Sequence, residues 1–158
     1  MRMDETSKII KTISSIMFPF VTIYGLYVIL HGHLTPGGGF QGGAIVASGC
    51  ALLVVAFGSD IIAKKVKESQ LSSLESIGAL GFISLAFVGI ATTFFYNSLA
   101  GTRFLFGRIP EYGSNPGYLS SGGLLPLMNI SVGVKVIAGL FAIVLILAIA
   151  TRKKGGRA

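Results

Sequence analysis

A few residues in this 158-residue chain have types and spacings that could do chemistry. Lys135 lies inside a long apolar run, about nine residues past Pro126 and fifteen before Ala150. At a helical rise of about 1.5 Å per residue it stands near the middle of a bilayer. An ammonium there is costly and has to face protein or water. Ser131 and Gly139 stand one turn either side of it, and Asn129 is near, so its stripe is small and polar. Lys135 is read either as a group in or beside a cation route, or as half of a structural ion pair with a carboxylate on another helix or subunit. Glu75 shares a face with Ser72, Gly78, Ala79 and Phe82, and it follows the apolar start at Leu71 by about a turn. That position puts it at the membrane surface, where the helix dipole favours a carboxylate. The two charges are thus expected at different depths, with no direct pair inside one chain.

His31 and His33 bracket Gly32 at the end of the first apolar run. Two imidazoles are too few for a metal without a third ligand nearby, so no metal site is expected. Hydrogen bonding at the interface is the main reading, and proton handling is the alternative, since histidine titrates near neutral pH. Gly37, Gly39 and Gly42 spell G-x-G-x-x-G, with Asp60 about twenty residues on. A dinucleotide site needs a buried strand before that motif and a soluble helix after it, and the flanks here are membrane-length apolar runs. No Ser-His-Asp spacing, paired carboxylates or P-loop is present. Cys50 is the only cysteine, which excludes an intrachain disulfide and a cysteine-held metal cluster.

The elements that must position these residues follow from composition. Charged residues make up 12% of the chain, about half the roughly 25% of a soluble domain. Mean hydropathy is +0.77. A hydrocarbon core of about 30 Å takes about 20 apolar residues of helix. Four such stretches predict transmembrane helices over about 9–30, 40–62, 71–99 and 124–150, with a soluble tail at 151–158. The expectation is an all-α integral membrane protein, a single membrane domain over 1–158. The first run is too long for a signal peptide and lacks a small-x-small cleavage site, so it is read as a retained helix. Pro19 falls inside it, which membrane helices tolerate, and Pro126 suits the first turn of the fourth.

The net charge of +7 does not mark a nucleic-acid binder, because the basic residues flank apolar runs and form no single surface. They report topology instead. Arg2, Lys8 and Lys11, then Lys64, Lys65 and Lys67, then Arg152, Lys153, Lys154 and Arg157 fall on one side. Only Arg103 and Arg108 fall on the other, so both termini are expected in the cytoplasm of a multi-pass cell-membrane protein. The loop over 100–123 holds Arg103, Arg108, Pro110, Glu111, Asn115 and Pro116, and its Phe104, Phe106, Tyr112 and Tyr118 suit the membrane–water interface.

The connector over 31–43 is the most distinctive stretch. Pro36 restricts one backbone angle, and Gly37, Gly38, Gly39, Gly42 and Gly43 remove side-chain bulk, so two helices can reverse tightly and approach closely. Gly43, Ala47 and Ala51 recur every four residues and form a small-residue stripe fit to receive a neighbouring helix in lipid. Whether the exposed glycine backbone also forms part of an ion or water path stays open at this point.

Gly32-His33-Leu34-Thr35-Pro36-Gly37-Gly38-Gly39-Phe40-Gln41-Gly42-Gly43 closely resembles the signature of the B subunit of Mrp/Mnh-type multisubunit sodium/proton antiporters. Leu74-Glu75-Ser76-Ile77-Gly78-Ala79-Leu80-Gly81 and Asn129-Ile130-Ser131-Val132-Gly133-Val134-Lys135-Val136 resemble later blocks of the same family. Leu34-Thr35-Pro36 with Gln41, and the stretch Asn115-Pro116-Gly117-Tyr118, look more like the versions in archaeal membrane-bound hydrogenase and sulfur-reductase complexes. The resemblance implies four transmembrane helices assembled with other membrane subunits, including large antiporter-like ones, in a complex that moves sodium or protons. Such a chain is no enzyme by itself. Iron–sulfur or nickel–iron centres, where a host complex has them, would belong to partner subunits, since this chain lacks the cysteines to hold them. Lys135, Glu75, His31 and His33 are the candidates for the ion route. The alternative is a purely structural scaffold that conducts no ion.

Overall fold

The computed structural model describes residues 8–110 and 118–155, with side chains as far as Thr151. Arg2, Glu111, Tyr112, Asn115, Pro116 and Arg157 lie outside the described residues, and nothing is assigned to the side chains of Arg152, Lys153 and Lys154. Among the described residues five helices follow in order: α1 (Lys8–His31), α2 (Gly39–Phe57), α3 (Ser59–Lys65), α4 (Glu68–Phe87) and α5 (Leu125–Gly155). Among the described residues the only β pairing is one isolated bridge between Arg108 and Ser121. α1, α2, α4 and α5 are long and apolar enough to cross a membrane. The chain is therefore an all-helical, multi-pass membrane protein.

The helices stand in the order α1–α2–α5–α4, with α2 packed on α1 and α5, and α5 packed on α4. Glycines set this order. Gly42 of α2 meets Gly25 and Ile29 of α1, whereas Gly39 and Gly43 meet Asn129, Val132, Gly133 and Val136 of α5. Consecutive positions on a helix point about 100° apart, so Gly42 and Gly43 serve different neighbours. Gly43 and Ala47 are buried, and Ala51 is half-buried. On α4, Gly78 rests against the backbone of Ser131 and Lys135. Close backbone approach of this kind maximises dispersion contact where lipid supplies no hydrophobic drive.

Four helix boundaries differ from those expected. The second stretch does not run to 62 as one helix. It stops at Phe57, because Gly58 takes φ 88°, and α3 begins off the line of α2. The third does not reach 99. α4 ends at Phe87, and residues beyond it fold back in tight turns, with the Phe95 amide donating to the Ala86 carbonyl at 3.1 Å. Phe82, Phe87, Phe94 and Phe95 cluster there, with Phe94 and Phe95 ring centroids 4.5 Å apart. The helix also starts earlier than expected, at Glu68, where the Gln70 side chain accepts from the Lys67 amide at 3.1 Å. The tail does not begin at 151, since α5 continues to Gly155.

The core gathers at the end where α4 starts and α5 finishes. Val54, Leu71, Phe141 and Leu145 are buried against one another there, with Ile62 and Val66 of the α3 region packed on them. Most of the apolar surface of α1 is exposed, Ile9, Phe20 and Ile23 among it, as expected of a helix whose solvent is lipid or another subunit.

Candidate ion-route site

Lys135 and Glu75 meet. The Lys135 Nζ lies 3.2 Å from Glu75 Oε1 and donates a hydrogen bond to it. This corrects the expectation of different depths, and the helix ends give the reason. With α4 spanning Glu68–Phe87, Glu75 is seven residues in, about 10 Å from the helix start, and no longer at its rim. α5 has 31 residues, about 46 Å, and overshoots α4 at that end, so its Lys135 comes level with Glu75. Gly78 lets the two helices close up beside the pair, and a side chain at Gly139 would stand 3.5 Å from the Glu75 carboxylate. Small residues on both helices thus make room for the charges.

The pair is not enclosed by this chain. The two side chains retain 46% and 43% of their exposure, well inside the apolar span. Polar groups extend from it in both directions. Glu68, Ser72 and Glu75 follow one face of α4 inward from its start, all at helical spacing. Ser76 donates to the Ser72 carbonyl at 2.9 Å, which leaves the hydroxyl oxygen free to accept. One turn beyond Lys135, the Ser131 hydroxyl donates to the Leu127 carbonyl at 3.0 Å. The result is a ladder of oxygens and one ammonium along the outer flank of α4 and α5. Such groups can take over the hydration of a passing cation or proton.

The structure does not bring His31 and His33 to this pair. They sit at the opposite helix ends, beside the start of α5, about 15 Å along the axis from Lys135. His31 Nδ1 is 3.2 Å from the Tyr27 carbonyl, and its ring lies 3.9 Å from the Tyr27 ring. His33 is tucked under the later loop, against Phe106 and the backbone of Gly122. Neither His33 ring nitrogen has a hydrogen-bond partner. Burial pushes the ring below the usual histidine range; the Leu119 backbone opposes this without reaching bonding geometry, and a charged His31 adds to the lowering. A pKa lowered in the fold means that the unfolded chain binds protons more readily, so stability rises with pH through this window. Acidification below about 6.5, the ordinary value, should loosen the contact. Amide hydrogen exchange at Leu119–Gly123, corrected for its intrinsic pH dependence, is expected to quicken between about pH 8 and 5, and His33→Gln to flatten that response. A flat profile in the unaltered protein would remove His33 from any proton-sensing role.

Two asparagines fix this end, and only one stood out in the sequence. Asn129 packs its side chain against Gly32 and Gly38. Asn97 donates to the Gly122 carbonyl at 3.0 Å and accepts from the Leu124 amide at 2.9 Å, clamping the turn that launches α5. Nothing in its local sequence marks it, because both partners lie some 25 residues away. Gly37 takes φ 135°, a conformation side chains rarely adopt, while Gly39 has no space for a Cβ beside the Asn129 carbonyl. Among the described residues no group of three potential metal ligands forms.

Fold and site together define a small multi-pass membrane protein, packed through glycines, that carries a charged pair on its flank within the span. The chain belongs to the family of domains related to the MnhB subunit of Na+/H+ antiporters, whose pattern matches residues 9–142. The resemblance carried by the Gly32–Gly43 stretch and the two later blocks is confirmed. An uncharacterized protein of Methanocaldococcus jannaschii is 36% identical over 140 residues, covering 86% of this chain and 50% of its own length. The mnhB2 protein of Staphylococcus haemolyticus, named as an antiporter subunit, is 33% identical over 96 residues, 61% of this chain and 65% of its own. A chain of the membrane-bound sulfane sulfur reductase, an archaeal respiratory membrane complex, superposes with a TM-score of 0.70 at 31% identity. That match covers 91% of this chain and 59% of the other. The chain thus spans about half to two thirds of the length of these relatives.

Proposed function

We propose that this chain is a non-catalytic membrane subunit of a cation-translocating complex of the Mrp type, and that its α4–α5 flank forms one wall of a sodium or proton route. The Glu75–Lys135 pair carries this reading, because it is charged, within the span and 43–46% uncovered. An ionised side chain facing lipid at that depth costs roughly 3 kcal/mol on insertion scales, and more on isolated helices. A neighbouring subunit, or water held between subunits, removes that cost. The sulfane sulfur reductase likeness supports a host complex in which electron transfer drives the ion. The redox centres of such a host would lie in other subunits, and the partners would include the large antiporter-like ones. The charge asymmetry of the loops supports cytoplasmic termini in the cell membrane.

The scaffold reading shares the glycine packing but gives the pair no transport role. Cysteine scanning separates the two. Single cysteines placed at Ser72, Ser76 and Ser131 in the assembled complex, with Cys50 replaced by alanine, are expected to react with a small charged thiosulfonate supplied from the water. Slowing of that reaction by added sodium would further support the route. Unreactive sites at all three positions would leave the scaffold.

A further inference from the structure

The end of the molecule that bears Lys8, Lys11, Lys64, Lys65 and Lys67 also bears an apolar groove of about 410 Å³. It exists because Gly58 swings α3 off the line of α2 and opens a wedge beside α1. Phe18 of α1, Leu53 and Phe57 of α2, and Ile61 of α3 line it, and Phe141 of α5 forms its floor. It reaches Cys50, seven residues before the end of α2, hence about 10 Å into the span. Among the described residues Lys65 is the one charged residue in its lining, and it is exposed. No ion pair or hydrogen bond engages its ammonium among the described residues. The acidic residues nearest in sequence are Asp60, which has a partner of its own, and Glu68, which starts α4.

We infer that this groove holds one hydrocarbon chain of an anionic phospholipid, with the lipid phosphate on Lys65. Three observations favour that occupant over a protein helix. A helix is about 10–12 Å wide, so 10 Å of its length would need roughly twice the volume available. Apart from Lys65, the lining is apolar but for Ser15, whose hydroxyl donates to the Lys11 carbonyl of its own helix, and this matches a molecule apolar except at one charged end. The surrounding lysines raise the local potential, so an anionic headgroup is preferred over a zwitterionic one. The groove lies on the α1–α2–α3 side, away from the Glu75–Lys135 flank, and does not depend on the proposed ion route.

The experiment uses the assembled complex in vesicles of phosphatidylcholine and phosphatidylglycerol, with one lipid or the other carrying a photoactivatable diazirine in its acyl chain. The phosphatidylglycerol probe is expected to label peptides holding Leu53, Phe57 or Phe141, about fivefold above the phosphatidylcholine probe, as one lysine near an anionic surface supplies. Lys65→Gln, an exposed change that leaves the fold intact, is expected to bring the two probes level. Leu53→Trp, which fills the groove, is expected to cut both. Should Leu53→Trp fail to assemble, the unaltered complex and Lys65→Gln still decide. Equal labelling by the two probes, persistence of the preference in Lys65→Gln, or no label at these positions because a neighbouring subunit fills the groove, would each overturn the inference.

Discussion

Lys135→Ala is expected to lower cation transport by the assembled complex at least about tenfold, the weight of one unpaired charge within a bilayer. The alanine removes the ammonium that lies 3.2 Å from Glu75 and leaves a carboxylate uncovered on the α4 flank. That carboxylate then either takes up a proton or draws a cation too tightly to release, and both block turnover. The exchanged pair, Glu75→Lys with Lys135→Glu, tells a route from a strut. A structural ion pair is indifferent to which helix carries which sign, so a scaffold predicts normal assembly and normal transport. A route is not indifferent, because the exchange moves the carboxylate from the Glu68–Ser72 ladder to the Ser131 side. Restored assembly with transport still depressed is the expected result. Sodium or proton flux in vesicles, alongside subunit content, measures both. Normal flux in fully assembled Lys135→Ala complex would remove Lys135 from the route.

Gly39→Val should be the most damaging single change to assembly. A Cβ at Gly39 would overlap the Asn129 carbonyl oxygen and come within 2.9 Å of the Val132 Cβ. Since the obstacle is backbone, no rotamer change relieves it, and α2 must move away from α5. Overpacking of a tight interface costs about 1–3 kcal/mol, and helix separation here would also break the Gly43 contact with Gly133 and Val136. Gly37→Ala provides the contrast. Its Cβ has ordinary room, 3.5 Å from Val28, and only the φ of 135° opposes it. Strain of that kind costs roughly 1–3 kcal/mol without displacing a helix. The expected order is loss of the complex for Gly39→Val, and an intact but less heat-resistant complex for Gly37→Ala. Native electrophoresis and thermal unfolding in detergent report these outcomes. A complex of full subunit content carrying Gly39→Val would show that the turn is no packing device.

Membrane residence, the number of membrane-length helices and the close reversal at Gly32–Gly43 were legible because each rests on local quantities. Apolar run length sets whether a helix can span, and glycine content sets how near two backbones can come. The break at Gly58 and the end of α4 at Phe87 were not legible. Hydropathy records the transfer of side chains from water, and Phe94, Phe95 and their neighbours are as apolar in a folded-back turn as in a helix. The start of that helix mattered as much. Counting from Leu71, when α4 begins at Glu68, placed Glu75 at the rim and so concealed its pairing with Lys135.

What the amino-acid order determined alone was the medium, the count of crossings and the small-residue faces, since these depend on each side chain and its near neighbours. Which faces meet was decided by the tertiary structure: Gly42 turned to α1, Gly43 to α5, and Gly78 set against Lys135. Only that arrangement brings Glu75 and Lys135, sixty residues apart, within hydrogen-bond reach. A contact between distant residues depends on where helices end and how closely their axes approach, and both are properties of the packed bundle as a whole.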